Sequence, residues 1–305
     1  MNESQDGSPG APPDLPMSGG LPRQTEFFKM TAGGNDFILI DNRTSAAAEH
    51  TAPEALGGFV RRVCTRALSV GADGVILLEK SARADVRLRF FNPDGRPTFC
   101  GNGARCGARL AYLQGIAPPR MTVETDLMTH RAEVRGAFVS FEMRDPQGFD
   151  DAVEIAVGSE HVPGVWVDTG VPHFVIFRTL GPEDPLEPLG RAIRSHPRFA
   201  PEGTNVDFVG SATPDGALAI RTFERGVERE TLACGTGCVA AALAATAAGK
   251  ARPPVLLRTR SGEAIRVRFE GDPRRASGVR LEGEARLVYV GHFTEEAVRG
   301  FTPAR

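Results

Sequence analysis

Two cysteines open the same short word. Cys100-Gly101-Asn102-Gly103 and Cys234-Gly235-Thr236-Gly237 each run straight into an alanine-rich apolar stretch that reads as a helix. A thiol at a helix start faces unpaired backbone N–H groups and the positive end of the dipole, surroundings that favour thiolate. The glycines let a ligand approach the backbone closely, so the amides can converge on an anion. Two such starts facing each other would hold one carboxylate from both sides, with a thiol over each face of the adjacent carbon. One sulfur removing the α-proton and the other returning it from the opposite side inverts a stereocentre. Cys100 and Cys234 are therefore the candidate acid/base pair.

Other uses of these cysteines fit less well. Cys100, Cys106, Cys234 and Cys238 make four thiols, but five and three intervening residues are not the knuckle spacing of structural zinc. A nucleotide loop needs a third glycine in place, or a following Lys-Ser/Thr, and neither is present. Cys64, Cys106 and Cys238 read as packing residues. A non-catalytic redox switch built on Cys100 and Cys234 is a rival of another class, and it predicts no α-proton exchange with any amino acid.

The elements that must position the two words are themselves duplicated. Met121-Thr122-Val123-Glu124-Thr125 begins 21 residues after Cys100, and Val255-Leu256-Leu257-Arg258-Thr259 begins 21 after Cys234. Upstream, Asn35–Ile40 is matched to Pro172–Phe177, pairing Phe37 with Phe174, and Gly71–Leu77 is matched to Gly203–Val209. The period is too long for a solenoid. It predicts two similar domains about a pseudo-twofold, with the ligand site in the cleft between them.

Strands are expected at Phe37–Asp41, Val75–Leu78, Val86–Phe91, Met121–Glu124 and Phe138–Met143. In the second half they are expected at Val165–Val167, Phe174–Phe177, Val206–Val209, Ala219–Phe223, Val255–Arg258, Ile265–Phe269 and Arg286–Val290. Helices are expected at Pro53–Arg66, Pro188–His196 and after each cysteine. Few helices among many antiparallel-type strands predict an α+β fold, each half a sheet or barrel around a central helix. The domains are expected at 26–146 and 147–282, joined by a polar bridge near Asp145–Asp150, with 283–305 packing back on the first. Residues 1–25 are rich in Gly and Pro, lack an apolar core, and read as a disordered tail.

At 305 residues the chain is long enough for two cored domains, and a net charge of −2 gives no electrostatic case for nucleic acid or membrane. Five cysteines without disulfide-framework spacing suit a reducing compartment. Lysine is scarce (Lys29, Lys80 and Lys250), which suits chemistry without a Schiff-base cofactor.

At these residues the chain resembles the diaminopimelate epimerase family. The matching stretches are Phe28-Lys29-Met30, Gly34-Asn35-Asp36-Phe37, Phe91-Asn92-Pro93-Asp94-Gly95 and Cys100 to Cys106, then Pro172-His173, Asn205, Phe223-Glu224-Arg225-Gly226 and Glu230 to Gly237. The resemblance implies a cofactor-independent, metal-independent epimerase of LL- and meso-diaminopimelate, cytoplasmic and homodimeric. It implies Cys100 and Cys234 as the thiolate/thiol pair, and Gly101, Asn102, Gly235 and Thr236 as the amides on the reacting carboxylate. Asn35, Asn92, Asn205, Glu224 and Arg225 would line the substrate site, with His173 near Cys100 and Glu224 tuning the thiols. Glu224 suits an ammonium and Arg225 a carboxylate at the distal amino-acid head. Val171 stands where the familiar family form has asparagine, and Gly74 where glutamine is often found. A related racemase acting on histidine or another amino acid is the alternative that these two departures keep open.

Overall fold

The computed structural model describes residues 25–44, 53–181 and 183–299. The expected tail at 1–25 thus lies almost wholly outside the described residues. The first half runs β1 (Glu26–Ala32), β2 (Asn35–Asp41), α1 (Pro53–Cys64), β3 (Gly74–Glu79), β4 (Val86–Phe91), β5 (Pro97–Thr98), α2 (Gly101–Leu113), β6 (Arg120–Glu124), β7 (Thr129–Arg135) and β8 (Phe138–Glu142). The second runs β9 (Gly148–Val157), β10 (Glu160–Asp168), β11 (Pro172–Phe177), α3 (Glu187–Arg194), β12 (Asn205–Ala212), β13 (Leu218–Glu224), β14 (Arg229–Thr231), α4 (Gly235–Ala247), β15 (Val255–Arg258), β16 (Ala264–Glu270) and β17 (Ser277–Glu284). β18 (Arg286–His292) and the short α5 (Glu295–Arg299) close the chain.

Strand pairing follows one path, β18–β1–β2–β3–β4–β6–β7–β8, then across to β17–β16–β15–β13–β12–β11–β10–β9. The order is the same in both halves when read outward from the antiparallel β8–β17 seam. The expected α+β duplication is therefore present, and β18 lies on β1 as β9 lies on β10. Each half-sheet wraps its own cysteine-led helix. In α4, Cys238 to Ala245 are all buried, so the helix has no solvent face and must sit inside. Its alanines let strands approach closely, while Val239 and Leu243 each contribute roughly 2 kcal/mol by burial. A second layer lies outside each sheet. α1 covers Ile38, Ile40, Val75 and Leu77, and α3 covers Phe174, Ile176, Val206 and Phe208.

That layering corrects the register of the duplication. Ile38 and Phe174 both face outward, whereas Phe37 and His173 both face the central helix. The equivalent of Phe37 is thus His173, not Phe174, and the equivalent of Ile76 is Asp207. A slip of one residue in a strand changes the face of every side chain, so a match by residue likeness alone can settle on the wrong face. The polar bridge is also shorter than expected, because β9 begins at Gly148. α1 ends at Cys64 and α3 at Arg194, each two residues early.

Candidate active site

Cys100 and Cys234 are the N-cap residues of α2 and α4, both with extended backbone (φ −138° and −124°). Extended geometry at the cap turns the next amides toward the cysteine side chain. The Gly237 amide donates to Cys234 Sγ at 3.4 Å, and the Thr236 hydroxyl lies 3.4 Å from the same sulfur. The two helix starts abut. A β-carbon at Gly235 would stand 3.4 Å from Asn102 Oδ1 and 3.7 Å from the Asn102 amide. One added at Gly101 or at Gly235 would meet the same Leu281 methyl at 3.0 Å. A side chain at either glycine would crowd that leucine tip.

Burial pushes both thiols up from their ordinary values, Cys234 the more strongly. Against Cys100 it is opposed by the Gly103 and Asn102 amides and by the Arg105 guanidinium, while Glu224 adds to it. Around Cys234, Glu224 and Asp207 reinforce the burial, and the Thr236 hydroxyl and Gly237 amide oppose it. Glu224 acts on both sulfurs, which sets the end of β13 beside the junction of the two helices. Burial holds its own carboxyl above the usual range, against the hydroxyl of Thr231 that donates to it.

Asn102 is fully buried, and its Nδ2 donates to Asn35 Oδ1 at 2.9 Å. Asn35 in turn donates to Asp73 at 3.1 Å. Asn205 is buried, accepts the Arg225 amide at 2.8 Å and donates to the Pro172 carbonyl at 3.3 Å. The Arg225 guanidinium donates to the Glu202 carbonyl at 3.2 Å. Asn92 is exposed, in the turn between β4 and β5. His173 is fully buried and is joined to Thr236, Asp207 and Asn205, so it reaches the Cys234 turn through a hydroxyl. Among the described hydrogen bonds none joins it to Cys100, the thiol beside which it was expected.

Two buried charges escaped the sequence reading. Arg105, 0% exposed, donates to Asn102 Oδ1 at 2.6 Å and to the Glu284 carbonyl at 3.2 Å. Burial pushes its pKa down, and its Nη1 takes the space that a side chain at Gly283 would fill. Asp207, also 0% exposed, is paired to His173. Each had a signal, since Asp207 interrupts the apolar run of a strand and Arg105 falls among the small residues of the stretch after Cys100. The first half also contacts the second here, where the Gly33 amide donates to Glu263 at 2.7 Å and Gly34 lies against Leu232 and Ser261.

The duplicated α+β halves, each with a cysteine capping its central helix, define a two-domain fold shared with several solved structures. A phenazine biosynthesis protein of the PhzF family from Bacillus anthracis superposes with a TM-score of 0.66 at 16% identity, covering 89% of this chain and 99% of that one. A hydroxyproline epimerase from Agrobacterium vitis gives 0.64 at 20%, covering 88% and 92%. These likenesses carry the fold. Sequence carries the family. A family model described as diaminopimelate epimerase matches residues 27–143 and 165–288. The diaminopimelate epimerase of Chlorobaculum tepidum is 43% identical over 272 residues, 87% of this chain and 100% of that protein. That of Aquifex aeolicus is 39% identical over 286 residues, 90% and 99%. The chain belongs to the diaminopimelate epimerase family. Among the described residues, no helix is long and apolar enough to cross a membrane.

Proposed function

We propose that this protein interconverts LL- and meso-diaminopimelate by transfer of the α-proton between two cysteines, in lysine and peptidoglycan precursor synthesis. The observation that carries the reading is the abutment of two cysteine-capped helix starts over Leu281, one from each half of a duplicated chain. The amides of Gly101, Asn102, Gly235 and Thr236 take the reacting carboxylate, which the two helix dipoles favour. Cys100 and Cys234 stand on opposite faces of the α-carbon. One, as thiolate, accepts its proton while the other, as thiol, delivers one. Charge gathers on the carboxylate in the transition state, where the convergent amides are pre-arranged to receive it. At the distal head, Glu224 takes the ammonium and Arg225 the carboxylate, and Asn35, Asn92 and Asn205 orient the zwitterion.

The relatives at 39–43% identity all carry the diaminopimelate name, which favours that substrate over histidine despite Val171 and Gly74. We place the enzyme in the cytoplasm, where its five unpaired cysteines suit the reducing conditions. We assign it a homodimeric state, supported by the apolar outer strand β18. The test is α-proton exchange in deuterated water with each diaminopimelate stereoisomer. Wild type exchanges and inverts. Cys100→Ser and Cys234→Ser each lose inversion by at least about a hundredfold while retaining substrate binding. Full turnover in either variant refutes the two-base assignment.

A further inference from the structure

The register established by the two layers makes a residue-by-residue comparison of the halves possible. Behind the start of α2, the inward positions of β2, β3 and β4 are Phe37, Ile76 and Phe90. Gly103 rests on the first two, since a β-carbon there would meet Ile76 Cδ1 at 2.9 Å and Phe37 Cε1 at 3.4 Å. Behind the start of α4, the corresponding positions of β11, β12 and β13 are His173, Asp207 and Thr222. A β-carbon at Gly237 would stand 2.4 Å from Asp207 Oδ1 and 3.2 Å from Thr222 Oγ1. The same fold therefore stands on an apolar floor in one half and on a buried polar one in the other. Since Phe, Ile and Phe suffice to pack the first, the polar set is not a demand of the architecture. A buried carboxylate carries a desolvation cost that its partners must offset, and an apolar floor carries none.

The hydrogen bonds of this floor have one direction. Asp207 Oδ1 accepts from the Thr222 hydroxyl at 2.7 Å, and Oδ2 lies 2.7 Å from His173 Nδ1. An ionised carboxylate can only accept, so the ring carries a proton on Nδ1, and in the neutral ring Nε2 then holds the lone pair. Nε2 lies 3.0 Å from Thr236 Oγ1, which lies 3.4 Å from Cys234 Sγ. The Asn205 amide approaches the same Nε2 at 3.4 Å. The sequence Cys234, Thr236, His173, Asp207 is an unbroken line of donors and acceptors ending on a fully buried carboxylate.

We propose that Asp207 is a positioning residue for the second thiol: it fixes the His173 ring so that Nε2 receives, through the Thr236 hydroxyl, the proton that Cys234 gives up. The proposal rests on the two-thiol reading of the site and deepens it. In the step, the Cys234 S–H bond breaks as an O–H bond forms on Thr236, and the original Thr236 proton moves to His173 Nε2. One proton passes from sulfur to imidazole, no electrons are exchanged, and the imidazolium formed faces the Asp207 carboxylate. The cysteines are thereby made unequal, for Cys100 has Arg105 and two amides beside it and an apolar floor beneath it.

The charged and titratable groups around this line are Glu224 on β13, Asp207 on β12, Cys238 on α4, and Cys100 and Arg105 on α2. They give the experiment opposite signs for two roles of Asp207. As a bare negative charge near Cys234, it opposes the thiolate, and removing it would ease ionisation. As the anchor of the relay, it supports the thiolate through His173, and removing it would hinder ionisation. The measurement is the ultraviolet thiolate absorbance of the full chain against pH, with the matching Cys234→Ala protein subtracted to isolate that sulfur. For Asp207→Asn, the Cys234 midpoint moves up by about one pH unit, a tenfold loss of thiolate on the rising limb. Thr236→Val, which keeps shape and backbone amide but not the hydroxyl, does the same, while Thr236→Ser stays near wild type. The Cys100 midpoint, isolated with Cys100→Ala, does not follow.

A Cys234 midpoint that falls or stays put in Asp207→Asn overturns the proposal. If that variant does not fold, a Thr236→Val protein indistinguishable from Thr236→Ser overturns it instead. The absorbance needs no substrate, so a wild type that fails to exchange the α-proton of diaminopimelate would sink the assigned activity and leave this result standing.

Discussion

Glu224 is a residue that is costly to the fold and that the proposed mechanism uses. Burial raises its carboxyl, so the folded protein holds that proton to a higher pH than the unfolded chain does. Its ionisation therefore weakens the fold as pH rises from about 4, where an unfolded glutamate titrates, and the loss is complete above the folded value. Glu224→Gln keeps an oxygen for the Thr231 hydroxyl and removes the charge. We expect a melting temperature a few degrees higher at neutral pH, an advantage that disappears below about pH 4, with kcat/KM down at least about a hundredfold. Unaltered melting at neutral pH would refute the buried-charge argument. The thiols predict a second pH effect. Both are pushed up, so the thiolate is the scarce form at neutral pH, and kcat/KM should climb with pH across the neutral range. A flat profile would show that thiolate supply does not limit turnover. At this scale the two cysteine-led helix starts were plain in the sequence, because a duplicated word at matched spacing needs no partner to be seen. His173 and Asn205 were visible as candidates, but their partners were not, since Asp207 meets them only across adjacent strands.

Helices α2 and α4 share a design and differ in what lies beneath their third residue. The floor under Gly103 ends in the tip of Ile76, which can rotate away, whereas the floor under Gly237 is a carboxylate held at both oxygens. Gly103→Ala should therefore cost less than about 1 kcal/mol, part of the crowding being offset by alanine's better helix propensity. Gly237→Ala should cost about 2–3 kcal/mol and displace Asp207 from His173, so activity falls with stability. Denaturant midpoints of the two variants measure the difference, and equal shifts would contradict it. Strand elements were legible to the degree that their chemistry was plain. β4 and β15 were read to the residue, because Val86–Phe91 and Val255–Arg258 are short β-rich runs with clear ends. β1, β7, β9 and β17 were missed, as were the short β5 and β14. In β7 the outward positions are Thr, Arg, Glu and Arg, of which only Thr favours a strand, and the buried His130, Ala132 and Val134 alone mark the alternation. In β17 two glycines obscure the same pattern, and Gly283 is there to admit Arg105.

The molecule as a whole is one pseudo-symmetric sheet path with two ends, and the ends are not treated alike. The seam at β8–β17 joins residues about 140 apart in sequence, such as Ser140 and Glu282, and no local pattern in either strand announces it. At one end, β9 alternates buried Val153 and Ile155 with exposed Glu154, a strand with a charge on its solvent side. At the other, β18 has β1 as its single strand partner among the described residues, and it exposes Leu287, Val288, Tyr289 and Val290 in succession, with Val288 56% exposed. Four consecutive large apolar side chains are exposed on this outer strand, and the unpaired backbone beside them invites a further strand. A second copy is the partner that the proposed homodimer supplies, because an antiparallel β18–β18 contact is self-complementary and closes after two chains. Tyr289 also packs edge-on against Phe27 at 6.0 Å, so the strand is held in place from within its own subunit before any partner arrives. Val288→Lys should then leave the fold intact, being a surface change, while placing two like charges near the twofold. Sedimentation velocity at micromolar concentration should show wild type at dimer mass and Val288→Lys at monomer mass, with melting temperature changed by no more than a few degrees. A Val288→Lys protein that still sediments as a dimer would place the interface on another surface and leave β18 without a role in assembly.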